Sequence, residues 1–181
     1  DLGNLKEAES SYRKAIELNP DFPEAHSNLG NILRDLGNLQ EAELSTRKAI
    51  ELNPNFPDAY YNLGNILRDL GKLKDAESSL RKAIEINPEF TEAHFNLGNI
   101  LKTLGNLQEA ELSIRKAIKL NPDFADAHYN LGNILKDLGK LKEAEISYRK
   151  AIELNPDFSN AHSNLGISLK DLGKLKEAEI S

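Results

Sequence analysis

Residues 23–56 read PEAHSNLGNILRDLGNLQEAELSTRKAIELNPNF, and residues 57–90 read PDAYYNLGNILRDLGKLKDAESSLRKAIEINPEF. The second stretch is the first with ten changes, displaced by 34 residues. The same interval runs through the whole chain. Pro20, Pro54, Pro88, Pro122 and Pro156 keep it, and so do Ala8, Ala42, Ala76, Ala110, Ala144 and Ala178. A length of 181 residues alone suggests one ordinary globular domain. A fixed period of this size replaces that reading with a stack of small units.

Each unit reads as two helices. Pro23 suits a first helical turn, where a missing N–H costs nothing. On a 100° wheel Ala25, His26, Leu29, Gly30, Ile32 and Leu33 share one side, and Glu24, Ser27, Asn28, Asn31, Arg34 and Asp35 the other. Gly37 ends this helix, as a glycine just past a C-terminus does. In the second helix Leu39, Ala42, Thr46, Ala49 and Ile50 form the inner arc. Glu41, Glu43, Arg47, Lys48 and Glu51 form the outer one. Pro54 closes it, because a helix rarely continues through proline. The short turn at Gly37-Asn38 makes the two helices antiparallel neighbours.

A lone helix pair cannot bury both apolar faces, whereas stacked copies can. The expected architecture is therefore an all-α solenoid forming one array over 1–181. Residues 1–22 are the back part of a repeat, 23–56, 57–90, 91–124 and 125–158 are complete, and 159–181 are a front part. The chain lacks Met and both opens and stops inside a repeat, so it reads as a piece of a longer array. Gly30 recurs as Gly64, Gly98, Gly132 and Gly166. A mid-helix glycine costs about 1 kcal/mol against Ala. Its recurrence implies a neighbour too close for a side chain, and the small Ala42 and Ala49 columns fit the same contact.

Composition narrows the function. With no Cys, disulfides and thiolate metal sites are excluded. Lys and Arg number 23 against 29 Asp and Glu, a net charge of −6, which disfavours a nucleic-acid partner. No apolar run is long enough to span a membrane. A cytoplasmic location is the expectation.

These residues resemble the tetratricopeptide repeat. Its Leu-Gly pair stands as Leu29-Gly30, Leu63-Gly64, Leu97-Gly98, Leu131-Gly132 and Leu165-Gly166, its small second-helix residues as Ala42 and Ala49, and its closing proline as Pro54. The family's usual first-helix Trp is replaced by His26, Tyr60, His94, His128 and His162, and its later Tyr by Leu33 and equivalents. The form Ala-His-x-Asn-Leu-Gly-Asn, with Asn-Pro-x-Phe between repeats, is similar to the superhelical arm of O-linked N-acetylglucosamine transferases and to bacterial arrays of that style. The resemblance implies a right-handed superhelix whose first helices line a concave groove, and non-catalytic binding of a peptide or protein segment. It also implies a second reading, the substrate-recruiting arm of a larger enzyme.

The leading candidates for that binding are two asparagine rails. Asn28, Asn62, Asn96, Asn130 and Asn164 form the first. Asn31, Asn65, Asn99 and Asn133 form the second, which Ile167 ends. Asn is a mediocre helix-interior residue, because its amide competes for backbone hydrogen bonds. Its recurrence calls for a compensating role. One role is to pair with the C=O and N–H of an extended ligand whatever its sequence. The other is to bond between adjacent helices. In the glycosyltransferases resembled, such a rail holds substrate backbone, and the Asn28 column matches it. Tyr61, Phe95 and Tyr129 lie in a variable column that begins and ends in Ser27 and Ser163. They read equally as groove anchors and as packing against a neighbouring repeat.

The remaining charged and polar columns read as scaffold. Glu24, Asp58, Glu92 and Asp126, with Asp35, Asp69, Asp137 and Asp171 beside Arg34, Arg68, Lys102, Lys136 and Lys170, form a mutually neutralised face. The histidines come from different repeats, too far apart for one metal ion. Glu9, Glu43, Glu77, Glu111 and Glu145 precede Arg13, Arg47, Arg81, Arg115 and Arg149 by four, the favourable order for helix ion pairs. No catalytic constellation, phosphate loop or cofactor site emerges. The uncovered residues Leu5, Ala8, Tyr12, Ala15 and Ile16 at one end leave room for head-to-tail self-association.

Overall fold

The computed structural model describes residues 2–173. Its regular elements there are all helices: α1 (Leu2–Leu18), α2 (Pro23–Asp35), α3 (Leu39–Leu52), α4 (Pro57–Asp69), α5 (Leu73–Ile86), α6 (Thr91–Thr103), α7 (Leu107–Leu120), α8 (Ala125–Asp137), α9 (Leu141–Leu154) and α10 (Ser159–Asp171). The chain divides into two compact units, residues 1–93 and 94–181, with the division inside α6. In unit 1, α2 packs on α3 and α4 on α5, and α1·α2 and α3·α4 join successive repeats. In unit 2 the same order appears as α7·α8, α8·α9 and α9·α10. Each unit is a stack of helix pairs, the arrangement expected of a solenoid.

The turn within a repeat follows from one glycine. Gly37 adopts φ +82°, a left-handed conformation that a side chain would oppose. This lets Asn38 N donate to Leu33 O at 2.8 Å and Gly37 N to Arg34 O at 2.9 Å, capping two otherwise orphaned carbonyls. The turn between repeats uses asparagine. The N–H of Asn55 donates to Asn53 Oδ1 at 3.1 Å, and Glu89 and Asp123 repeat the bond with Asn87 and Asn121. His26, His128 and His162 then fasten this turn, their Nε2 lying 2.8–3.0 Å from the carbonyls of Pro20, Pro122 and Pro156. A carbonyl only accepts, so Nε2 carries the proton.

The mid-helix glycines face a side chain, not only a backbone. A Cβ on Gly64 would meet Leu80 Cγ at 2.8 Å, and one on Gly98 would meet Ile114 Cδ1 at 2.6 Å. One on Gly132 would meet the Tyr148 ring at 2.5–2.9 Å. Each glycine is thus a notch for the residue 16 positions on. Thr46 fills the notch of Gly30, and its Oγ1 is buried without a hydrogen-bond partner. An orphaned buried hydroxyl is costly. Thr46→Val, which keeps the shape, should raise stability by about 1 kcal/mol. An unchanged or lower urea midpoint would show that the hydroxyl is bonded after all.

The five Glu–Arg pairs form as expected, from Arg13–Glu9 at 2.9 Å to Arg149–Glu145 at 3.1 Å. Two expectations from the helical wheel fail in detail. The wheel puts Glu43 on the outer arc, yet its side chain is only 15% exposed. The reason is Lys72, which reaches it from the next repeat at 2.7 Å while Arg47 binds the other oxygen at 2.8 Å. Lys72 holds the Glu43 carboxyl below the ordinary carboxylate range against the opposing effect of burial, and Arg47 adds to Lys72. The wheel also puts Ser27 on the polar side, whereas the structure buries it. Stacking of α4 on the preceding pair brings Asn62 onto its hydroxyl.

Candidate functional site

The asparagine columns lie at mid-helix on the first helices, and the stack decides how far each is covered. Asn28 is exposed. Asn62, Asn96, Asn130 and Asn164 are half-buried, as are Asn31, Asn99 and Asn133. Asn65 is buried, at 4% exposure.

In unit 2 the two rails meet. Asn130 Nδ2 donates to Asn99 Oδ1 at 2.8 Å, and Asn164 Nδ2 donates to Asn133 Oδ1 at 2.7 Å. The first-rail asparagine of one repeat is therefore clipped to the second-rail asparagine of the repeat before. In unit 1 the corresponding bonds differ. Asn62 Nδ2 donates to Ser27 Oγ at 3.1 Å, and Asn31 Oδ1 accepts from Arg34 Nη1 at 3.3 Å. The bonding between helices that the sequence leaves open is thus present. It consumes one N–H of Asn62 and of Asn130, whose carboxamides carry a second N–H and an oxygen with two lone pairs, while Asn164 Nδ2 donates both to Asn133 Oδ1 and to the Tyr129 hydroxyl.

The aromatic column is also engaged. Tyr61 stacks on Phe90 with ring centroids 4.9 Å apart, Phe95 on Phe124 at 4.6 Å, and Tyr129 on Phe158 at 4.8 Å. Each partner is the phenylalanine of the following Asn-Pro-x-Phe turn, a column with no assigned role in the sequence pattern. A constant separation of 29 residues was the available signal. Offset aromatic pairs add about 0.5–1.5 kcal/mol beyond area burial. They also orient rings that remain only half-buried.

Around Tyr129 the two systems join. Asn164 Nδ2 lies 3.3 Å from the Tyr129 hydroxyl, and Asn133 Oδ1 accepts a second bond, from the Tyr148 hydroxyl at 2.9 Å. Tyr148 is fully buried, and burial, with Tyr129 and Asp137 nearby, pushes its phenol well above the ordinary value. It stays neutral and serves as a fixed donor.

The charged columns neutralise one another within each unit. Arg34 Nε lies 3.1 Å from Asp69, which also binds Arg68 at 2.8 Å, and Lys102 lies 3.5 Å from Asp137. Among the described residues no group of three or more His, Cys, Asp or Glu could hold a metal ion. No described helix is long and apolar enough to cross a membrane. What the first helices carry is a set of hydrogen-bonded amides beside half-buried aromatic rings.

Comparison with known proteins gives consistent matches. A tetratricopeptide repeat family model matches residues 57–90 and 125–158. A TPR repeat model matches 1–37, 30–67 and 98–139. A further tetratricopeptide repeat model matches 79–111 and 147–180. Among curated proteins no relative matches. Among solved structures the chain is similar to YrrB, described as a TPR protein with an unusual peptide-binding site. That likeness has 27% identity and a TM-score of 0.80, covering 92% of this chain and 86% of that one. It is similar to MamA at 29% identity and TM-score 0.80, over 83% and 88% of the two chains. A thermophilic TPR protein of Thermus thermophilus aligns at 26% identity and TM-score 0.71, over 93% and 92%.

Proposed function

Because the chain belongs to the tetratricopeptide repeat family, we propose that its first-helix surface holds an extended segment of another protein through the Asn28 column. Scaffolding of protein interactions is the general role that the family and its structural relatives support. The finer reading rests on the ladder in unit 2. The clips Asn130–Asn99 and Asn164–Asn133 fix the rotamers of the first-rail asparagines. A carboxamide held in one orientation loses little entropy when a ligand backbone arrives, which favours affinity. The second N–H and the oxygen of Asn130, and the oxygen of Asn164, match a peptide C=O and N–H without reading side chains. Tyr129 and Phe95, steadied by Phe158 and Phe124, supply flanking aromatic surface.

The test uses peptides selected on the intact chain from a random displayed library. Asn130→Ala with Asn164→Ala should weaken the selected peptides at least tenfold, about 1.4 kcal/mol. Circular dichroism and thermal unfolding identify variants that remain folded. Unchanged affinity in a folded double variant would remove the ladder from the binding mechanism.

A further inference from the structure

Unit 2 repeats one combination of groups. Phe95, paired with Phe124, stands one helical turn before Asn99 of the Asn99–Asn130 clip, and Tyr129, paired with Phe158, stands one turn before Asn133 of the Asn133–Asn164 clip. Ring and amide lie close together, since Asn164 Nδ2 reaches both Asn133 Oδ1 and the Tyr129 hydroxyl. All four rings are half-buried. In unit 1 the repeat before the Tyr61–Phe90 pair has Ser27 in the ring column, so two rings do not follow one another there.

We propose that the segment held on this surface is proline-rich and crosses α6, α8 and α10 as a polyproline II helix, one turn per repeat. This ligand class rests on the reading of that surface as a peptide site. Three features select it. The first is spacing. The clips show that α6, α8 and α10 follow one another side by side, and packed helices stand about 8–10 Å apart. A polyproline II helix advances about 9.3 Å in its three-residue turn and then presents the same face again. A β-strand presents the same face after two residues, about 6.6–6.8 Å on, which falls short of the repeat. After three residues it has covered about 10 Å, but its side chain then points to the opposite side.

The second feature is hydrogen bonding. Proline offers a carbonyl and no N–H, and polyproline II leaves its carbonyls without internal partners. Such a ligand needs donors. Asn130 keeps its second N–H, and the Tyr129 hydroxyl, which accepts from Asn164, keeps its own proton to donate. The third feature is the ring column. Aromatic-lined grooves favour proline-rich segments because the preformed helix has little entropy left to lose. Phe95 and Tyr129 stand one repeat apart, so prolines at i and i+3 meet successive rings.

Three synthetic twelve-residue peptides, titrated into the full chain and followed by NMR, test this. The first is four Pro-Ala-Ala units. The second has the same composition with its prolines at alternate positions. The third has glycine in place of each proline of the first. The first peptide should bind at least tenfold more tightly than either of the others. Phe95→Leu with Tyr129→Leu keeps apolar volume and removes the aromatic faces, and should weaken that binding at least tenfold with circular dichroism unchanged. Equal binding of the three peptides, no binding of the first, or binding that survives the leucine variant overturns the proline-rich ligand. If peptides from the displayed library still depend on Asn130 and Asn164, the peptide site itself stands. If they do not, both readings fall. Should the leucine variant unfold, the comparison of the three peptides on the unaltered chain decides.

Discussion

Gly132→Val is expected to lower the stability of unit 2 by about 3 kcal/mol, the upper part of the usual range for overpacking. The new carbons would enter the space of the Tyr148 ring, already 2.5 Å from where a Cβ would stand. That ring cannot retreat. It is fully buried, and its hydroxyl is tied to Asn133 Oδ1 at 2.9 Å. The gain in helix propensity over glycine is only a few tenths of a kcal/mol and does not offset the clash. Urea unfolding, with hydrogen exchange of the α8 and α9 amides, reads the loss. Tyr148→Ala alone should cost about 3–5 kcal/mol. The double variant should cost at least about 1 kcal/mol less than the sum, because the cavity of one change receives the bulk of the other. Strict additivity would show that the notch is not what requires glycine. Gly64→Val should be milder, since its nearest contacts, Leu80 Cγ and Cδ2 at 2.8 and 2.9 Å, are less close than the Tyr148 ring.

Leu33→Ala should destabilise unit 1 by about 2–5 kcal/mol, while Leu44→Ala should stay within about 0.5 kcal/mol. The two leucines lie eleven residues apart on opposite sides of a helix pair. Leu33 is 0% exposed in a cluster with Leu29, Ala42 and Ile66, against which Tyr12, Ile16 and Leu70 pack. That cluster ties α1 through α4 together, so the cavity forms where four helices depend on it. Leu44 is 70% exposed and has little contact to lose. Paired denaturant melts check the contrast. Comparable losses from both substitutions would mean that Leu44 is packed in solution.

Much of the fold was legible because its determinants are local. Pro23 in a first turn, Gly37 past a C-terminus and the Glu–Arg pairs at four residues are each set within about one helical turn, and the 34-residue period repeats them. Such contacts form wherever the helix forms. The candidate site was legible only as columns. Sequence could place Asn28 and Asn31 on one helix face, but not tell that Asn130 would reach Asn99, or that Tyr61 would lie on Phe90. It also put Glu43 outside, because no pattern within the helix announces Lys72 arriving from the next repeat.

The division between the two kinds of information is therefore a matter of range. Sequence determined the helices, their caps and turns, the repeat and the membership of each column, since all of these rest on spacing along one chain segment. Tertiary structure decided the partners 16, 29 and 31 residues away. It decided that Thr46 leaves an orphaned hydroxyl where Tyr148 makes a hydrogen bond. It also decided that Asn28 is exposed while its neighbour column is covered at Asn65. Those outcomes depend on which side chains stacking brings together and on their sizes, and these vary from repeat to repeat while the backbone period does not.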